Sequence, residues 1–135
     1  MANQKNNKAI HISLWIAQAL LAVMFIMAGF MKTAQPIEVL AESLPWVSST
    51  SVGLVRFIGI SELLGGIGLI LPALLRIKPF LTVWAAIGLA VVMVLAALFH
   101  ASRGEFSGIG ANMVFMAIAL FVAWGRSKKA PILAK

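Results

Sequence analysis

A few polar residues that could bind a ligand or move protons lie within or at the ends of strongly apolar stretches of this chain. They are Lys32, Arg56, Glu62, His100 and Asn112. Glu62 stands out because it interrupts a long apolar run, where a carboxylate is costly unless it is paired, protonated or in contact with water. If the run is helical, Arg56, Gly59, Glu62 and Gly66 fall within about one third of the helix circumference.

These residue types suggest a binding or proton-transfer site. Arg56 and Lys32 could hold a carbonyl group or an anion. Glu62 and His100 could exchange protons, since histidine titrates near neutral pH. The structural alternative is that Glu62 pairs with Arg56 or Lys32 and only fixes how the helices assemble. The glycines beside Glu62 allow the same two interpretations, as room for a ligand or as close packing of helix backbones.

Other kinds of chemistry find little support in the sequence. The absence of cysteine excludes disulfides, thiol redox chemistry and thiolate metal sites. Glu105, which with Arg103 is a secondary candidate, matches no strong metal-ligand spacing with His100 and Glu62, so we predict no metal site. There is no self-contained catalytic motif, and whether the protein is an enzyme stays open.

Four apolar stretches are long enough to position these residues inside a membrane. Apolar residues make up 61% of the chain and charged residues 11%, against about 25% charged in an ordinary soluble domain. A membrane-spanning helix needs about 20 largely apolar residues. We therefore predict one all-α domain over residues 1–135, an integral membrane four-helix bundle with spans at approximately 10–31, 54–75, 79–99 and 109–125.

The connections between the spans carry further signals. Residues 36–44 have Ile37, Leu40, Ala41 and Leu44 on one helical face, which predicts a short helix at the membrane interface or capping the bundle. Gln18, inside the first span, is expected to hydrogen-bond a neighbouring helix. The first span is too long for a signal peptide and ends without a small-x-small cleavage site, so we expect it to be retained.

The basic residues predict the orientation of the bundle. Most of them flank the spans on one side: Lys5, Lys8, Arg76, Lys78, Arg126, Lys128, Lys129 and Lys135. The positive-inside rule then puts both termini in the cytoplasm and the Glu62 patch near the outer face. The net charge of +7 does not indicate a nucleic-acid partner, because no face or tail gathers these residues into a phosphate-binding stripe.

Three segments resemble the DoxX-like family of small bacterial four-helix membrane proteins: MFIMAGFMKTAQP, RFIGISELLGGIGLILP and AALFHASRGE followed by Asn112. The resemblance covers nearly the whole chain and implies a multi-pass protein of the bacterial inner membrane. It also implies a membrane subunit or accessory of a quinone-linked redox system or of oxidative-stress defence. The matching positions are Lys32, Arg56, Glu62, His100 and Asn112.

A quinone is the candidate ligand that the resemblance adds, and a redox partner protein or a homo-oligomer are the candidate partners besides the lipid bilayer. The alternative function is a non-catalytic membrane protein that assists assembly or small-molecule permeation or resistance. Its basis is the absence of any recognisable cofactor-binding motif in the sequence.

Overall fold

Helices account for the regular structure of the chain. The computed structural model describes the backbone of residues 2–135 and the side chains of residues 7–135, so the Lys5 side chain, used above to predict orientation, lies outside the described part. The helices are α1 (Ala2–Ala34), α2 (Ile37–Ser43), α3 (Val52–Leu75), α4 (Phe80–Ser102) and α5 (Ile109–Trp124).

Four of these helices are long and apolar enough to cross a membrane, which confirms the predicted four-helix membrane bundle. The fourth predicted span is the shortest. In the structure a 3-10 turn (Phe106–Gly108) precedes α5 and a π-helical turn (Gly125–Lys129) follows it. Together they form an apolar helical stretch of 24 residues, Phe106–Lys129, which spans about 30 Å of hydrocarbon.

Local chemistry sets the ends of the helices. The Ser51 side chain accepts a hydrogen bond from the Leu54 amide at 3.2 Å and so caps α3. At its other end α3 stops where Arg76 takes a left-handed conformation, with φ of 58°. Gly104, with φ of +72°, lets the chain turn after α4. The short connections after α3 and α4 make α3, α4 and α5 antiparallel to their neighbours in sequence.

The helices pack through small and aliphatic side chains. α1 lies along α3, and α4 lies between α3 and α5. The buried core includes Leu14, Leu21, Leu69, Leu89 and Val122. Large apolar side chains also cover the outside of the bundle, among them Ile16, Phe30, Leu64, Leu95 and Leu98. An outward-facing apolar surface of this kind requires hydrocarbon around it, so the bundle is suited to a lipid bilayer.

The short helix predicted for residues 36–44 is present as α2, and it packs against one end of the bundle. Leu40 is fully buried and contacts Val47 and Val55, while Glu38 and Glu42 point outward. A 3-10 turn (Pro45–Ser49) then leads the chain towards α3. The position of α2 at the membrane interface stays a prediction.

Candidate functional site

The central contact of the predicted patch is an ion pair between α1 and α3. Lys32, in the last turn of α1, places its Nζ atom 2.8 Å from Glu62 Oε1 and 3.0 Å from Glu62 Oε2. Glu62 is only 3% exposed. A buried carboxylate that is paired in this way keeps its charge balanced inside an apolar bundle.

Arg56 lies on the same face of α3 as Glu62, but its side chain contacts the backbone of α1 and not the Glu62 carboxylate. Its Nη1 atom donates a hydrogen bond to the Lys32 carbonyl oxygen at 2.8 Å. That carbonyl belongs to the last turn of α1, where backbone oxygens lack partners within the helix. Arg56 therefore caps α1 and holds the residue that pairs with Glu62.

The glycines beside Glu62 face α1 and allow the two backbones to approach. A Cβ atom added to Gly59 would lie 2.7 Å from Thr33 Oγ1 and 2.8 Å from Lys32 Cβ. One added to Gly66 would lie 2.8 Å from Ile26 Cγ1. Of the two interpretations given above, the geometry favours close packing, which brings Lys32 within reach of Glu62.

A cavity of about 430 Å³ opens on the other side of this ion pair, between α3 and α4. Four of the predicted residues line it: Lys32, Glu62, His100 and Asn112. Its walls are mainly apolar, from Leu54, Phe57, Ile58, Val92, Met93, Leu95 and Phe99. Leu44, which follows α2, and Trp46, from the 3-10 turn Pro45–Ser49, also line it. We call this space the Glu62 cavity.

Two polar side chains of the Glu62 cavity have unused hydrogen-bonding atoms. His100 Nδ1 and Asn112 Nδ2 are both buried, and neither has a hydrogen-bond partner among the described residues. The nearest carboxylate oxygen to His100 Nδ1, on Glu105, lies 3.7 Å away, too far for a hydrogen bond. Such atoms are rare in folded proteins, and a ligand that supplies the missing partner is one explanation.

The Glu62 cavity also reaches the apolar outside of the bundle. Phe57 and Leu95, which line it, are 67% and 60% exposed on the outside of the bundle. Polar groups therefore lie at its inner wall and apolar groups at its mouth. This arrangement suits an amphipathic organic molecule, and among the described residues no three His, Asp or Glu side chains converge as they would around a metal ion.

The secondary candidates Arg103 and Glu105 lie outside the Glu62 cavity. Arg103 donates a hydrogen bond to Glu105, and its Nη1 atom donates another to Ser49 Oγ at 2.5 Å. These contacts tie the α4–α5 connection to the 3-10 turn after α2. They join the connections at one end of the bundle, and the hydrogen bond from Arg56 to the Lys32 carbonyl oxygen joins α3 to α1 at the same end.

A second polar cluster at the opposite end of the bundle was not predicted. The Arg126 Nε atom donates to Gln18 Oε1 at 2.6 Å, and Gln18 Nε2 donates to the Leu69 carbonyl oxygen at 2.6 Å. The expected hydrogen bond from Gln18 to a neighbouring helix is thus confirmed. Arg126 Nη1 also lies 2.9 Å from His11 Nδ1, and the guanidinium carbon lies 5.3 Å from the centre of the Trp15 ring.

The sequence contained a signal for this cluster. His11 and Gln18 are seven residues apart, so they share one face of α1 and mark a polar stripe within the first span. The sequence places Arg126 among the basic residues that flank the spans on one side. In the structure it is buried, because the π-helical turn carries it back over the end of α1.

The comparisons with known proteins point to one family. The family model described as the DoxX-like family matches residues 16–122, which include Lys32, Arg56, Glu62, His100 and Asn112. His11 and Arg126 lie outside the matched residues. No curated protein and no solved structure matches the chain.

Proposed function

The chain belongs to the DoxX-like family, and on that premise we propose that it binds a quinone or a similar amphipathic molecule in the Glu62 cavity. It would do so as the membrane subunit or accessory of a redox or oxidative-stress system. The observation that carries this proposal is the combination of an apolar cavity open to lipid with unpartnered His100 and Asn112 nitrogens.

The residues of the Glu62 cavity match the chemistry of such a ligand. Asn112 Nδ2 and a protonated His100 nitrogen can donate hydrogen bonds to a carbonyl oxygen. The ammonium group of Lys32, while paired with Glu62, can also approach that oxygen. The apolar walls would contact the ring and the hydrocarbon tail, which supply most of the binding energy for ligands of this type.

Reduction of a quinone takes up protons as well as electrons. In this proposal His100 and Glu62 exchange the protons, since an imidazole and a carboxyl group can act as acid and base and both side chains line the Glu62 cavity. In this proposal the electrons come from a redox partner protein, the candidate partner that the family resemblance implies. The protein would then be a binding subunit and not a complete oxidoreductase.

We also propose a bacterial inner-membrane location with both termini in the cytoplasm. Lys8, Arg76, Lys78, Lys128 and Lys129 support this orientation, since they flank the spans at one end of the bundle. The Glu62 cavity would then lie near the outer face of the membrane.

The test is to purify the protein in mild detergent and to extract it for bound quinone. We expect more quinone per protein than in an unrelated four-helix membrane protein purified in the same way. Ala96→Phe should reduce the retained quinone by roughly tenfold, because Ala96 lines the Glu62 cavity and a phenyl ring would fill part of it.

Val94→Phe is the matched control, since Val94 lies on the same helix but is exposed on the outside of the bundle. It should leave quinone retention unchanged. The proposal is wrong if no quinone is enriched, or if Ala96→Phe retains as much quinone as Val94→Phe. A stable partner protein recovered without any quinone would instead favour the assembly or permeation alternative.

A further inference from the structure

Arg126 is a buried cation without an acidic partner. It is 3% exposed. The chain has 4 acidic residues, and all of them belong to the opposite end of the bundle: Glu38, Glu42, Glu62 and Glu105. The groups that contact its guanidinium are neutral or can be neutral: the Gln18 amide, the His11 ring and the Ala130 carbonyl oxygen.

One nitrogen of this guanidinium remains unused. Arg126 Nη2 is buried and has no hydrogen-bond partner among the described residues. A buried arginine that lacks both a counter-ion and a partner for one nitrogen is unfavourable in an apolar bundle, because its neutral contacts compensate only in part for the loss of water around its charge. An anion bound beside Arg126 would supply both the counter-ion and the partner for Nη2.

A second cavity, of about 480 Å³, lies beside Arg126, and we call it the Arg126 cavity. The beginning of α4 contributes Trp84 and Ile87, and the C-terminal segment contributes Ile132. Ser127 is the neighbouring polar residue in the lining. The cavity therefore combines one cation with largely apolar walls.

The C-terminal segment is held across this end of the bundle by two hydrogen bonds. Arg76 Nε donates to the Leu133 carbonyl oxygen at 2.8 Å. The Lys135 amide donates to the Arg76 carbonyl oxygen at 2.9 Å. These bonds keep Ile132 in place as one wall of the Arg126 cavity.

The surroundings of the Arg126 cavity have the character of a membrane–water boundary. Trp84 and Trp124 are both exposed, and Lys129 Nζ lies 5.7 Å from the centre of the Trp124 ring. Exposed tryptophan and lysine side chains are typical of the level of the lipid headgroups. A phosphate group at this depth and hydrocarbon chains deeper in the membrane are therefore the ligand groups available to the cavity.

We propose that the Arg126 cavity binds an anionic phospholipid, with Arg126 contacting the phosphate group and the apolar wall contacting an acyl chain. Arg126 suits this role because its unused Nη2 atom can donate a charge-assisted hydrogen bond to a phosphate oxygen while Nε and Nη1 keep their present contacts. The apolar walls favour a lipid over a free phosphate ion. This inference does not depend on the function of the Glu62 cavity.

The experiment measures lipid retention by native mass spectrometry of the purified protein in mild detergent. Dioleoylphosphatidylglycerol and dioleoylphosphatidylcholine are added separately, with sodium phosphate as a third condition. We expect phosphatidylglycerol to be retained roughly tenfold more than phosphatidylcholine, because both lipids carry a phosphate group but Arg126 and the other basic residues at this end repel the choline cation of the second. Sodium phosphate at millimolar concentration should not displace the bound lipid.

Two variants test the assignment to Arg126. Arg126→Gln should abolish the preference for phosphatidylglycerol. Because this change could also disturb the Gln18 contact, Ser127→Glu is the second variant. Ser127 is exposed and lines the Arg126 cavity, so a carboxylate there repels the phosphate while Arg126 stays in place. It should lower phosphatidylglycerol retention by about tenfold.

Lys128→Gln is the matched control, since Lys128 is an exposed cation in the same turn that does not line the Arg126 cavity. It should change retention by less than about twofold, as expected for a screened surface charge. Equal retention of the two lipids, or equal effects of Lys128→Gln and Ser127→Glu, would overturn the proposal. Displacement of the lipid by sodium phosphate would also overturn it, in favour of a soluble anion.

Discussion

At the scale of single residues, the Lys32–Glu62 ion pair is the contact that most directly joins the fold to the candidate site. It links α1 to α3 and lines the Glu62 cavity at the same time. Removing one member leaves the other as an uncompensated buried charge, which costs about 3–5 kcal/mol in comparable pairs. Stability measurements can therefore separate its structural role from any role in ligand binding.

We expect Glu62→Gln to lower the thermal unfolding temperature of the purified protein, because Lys32 keeps its charge and loses both carboxylate contacts. Lys32→Met should lower it for the matching reason. The double variant Lys32→Met with Glu62→Gln should recover much of the loss, since neither charge remains. Thermal unfolding followed by circular dichroism measures all three.

The double variant is decisive for this prediction. Additive losses from the two substitutions would mean that Lys32 and Glu62 are not energetically coupled. Quinone retention by the same variants then tests the proposed function separately.

The sequence predicted which residues would gather near Glu62 better than it predicted their contacts. Arg56 shares a face of α3 with Glu62, but their separation of six residues corresponds to about 9 Å along the helix axis. The contact between Lys32 and Glu62 depends on how α1 packs on α3, which spacing within one helix cannot reveal. The burial of Arg126 is not predictable from the sequence for the same reason, because it depends on contacts with Gln18 and His11 on another helix.

At the scale of the helices, glycine determines how closely α1 and α3 approach. A Cβ atom on Gly29 would lie 2.5 Å from the Leu63 backbone nitrogen, and one on Gly59 would lie 2.9 Å from the Lys32 carbonyl carbon. Backbone atoms cannot move aside as a flexible side chain can. The two helices would have to separate to accept even a methyl group.

We expect Gly59→Ala to destabilise the bundle by about 1–3 kcal/mol, the usual cost of overpacking. Gly88→Ala is the control, because nothing lies within 4 Å of a Cβ atom at that exposed position of α4. It should leave stability unchanged or raise it by up to about 1 kcal/mol, since alanine favours helix. Equal unfolding temperatures for the two variants would contradict the close approach of α1 and α3.

Residues 36–51, which contain α2 and the following 3-10 turn, are held on the bundle by a small apolar cluster. We call these residues the α2 segment. Leu40→Ala should destabilise this segment by about 2–5 kcal/mol, because Leu40 is fully buried against Val47 and Val55. The measurement is limited proteolysis of residues 36–51 in detergent. Val39→Ala, on the exposed side of the same helix, should leave the rate of cleavage unchanged.

Faster cleavage of Leu40→Ala with unchanged global stability would show that the segment opens independently of the bundle. No change in cleavage would mean that Leu40 does not hold it. The existence of this helix followed from the apolar spacing of residues 37–44. Its contribution of Trp46 to the lining of the Glu62 cavity could not be predicted, because that contact depends on the path of the following 3-10 turn.

At the scale of the whole molecule, charge is distributed unevenly between the two ends of the bundle. The acidic residues belong to the end that contains Glu62, whereas basic residues dominate the other end. By the positive-inside rule, the end with more basic residues is expected on the cytoplasmic side of the membrane. The apolar composition and the four spans made the bundle itself predictable from the sequence alone.

Reporter fusions after residues 46, 77, 105 and 135 test this orientation. We expect reporters that are active only in the cytoplasm to work at residues 77 and 135 and to fail at residues 46 and 105. The physical reason is the excess of lysine and arginine at the end that contains the Arg76–Lys78 turn. The reverse pattern would mean that the orientation is inverted, and a mixed pattern would contradict the four-span topology.

Phe57 and Leu95, at the mouth of the Glu62 cavity, are exposed on the apolar outside of the bundle, so in the proposed function the ligand enters from the bilayer and not from the aqueous phase. An apolar molecule that enters there comes from the fraction already dissolved in the membrane. Occupancy of the cavity therefore depends on the mole fraction of that molecule in the lipid. Adding vesicles that lack the molecule would lower its mole fraction in lipid and so reduce occupancy of the cavity. The total concentration of the molecule would stay the same. Affinities measured for such a cavity are comparable only when the lipid-to-protein ratio is the same.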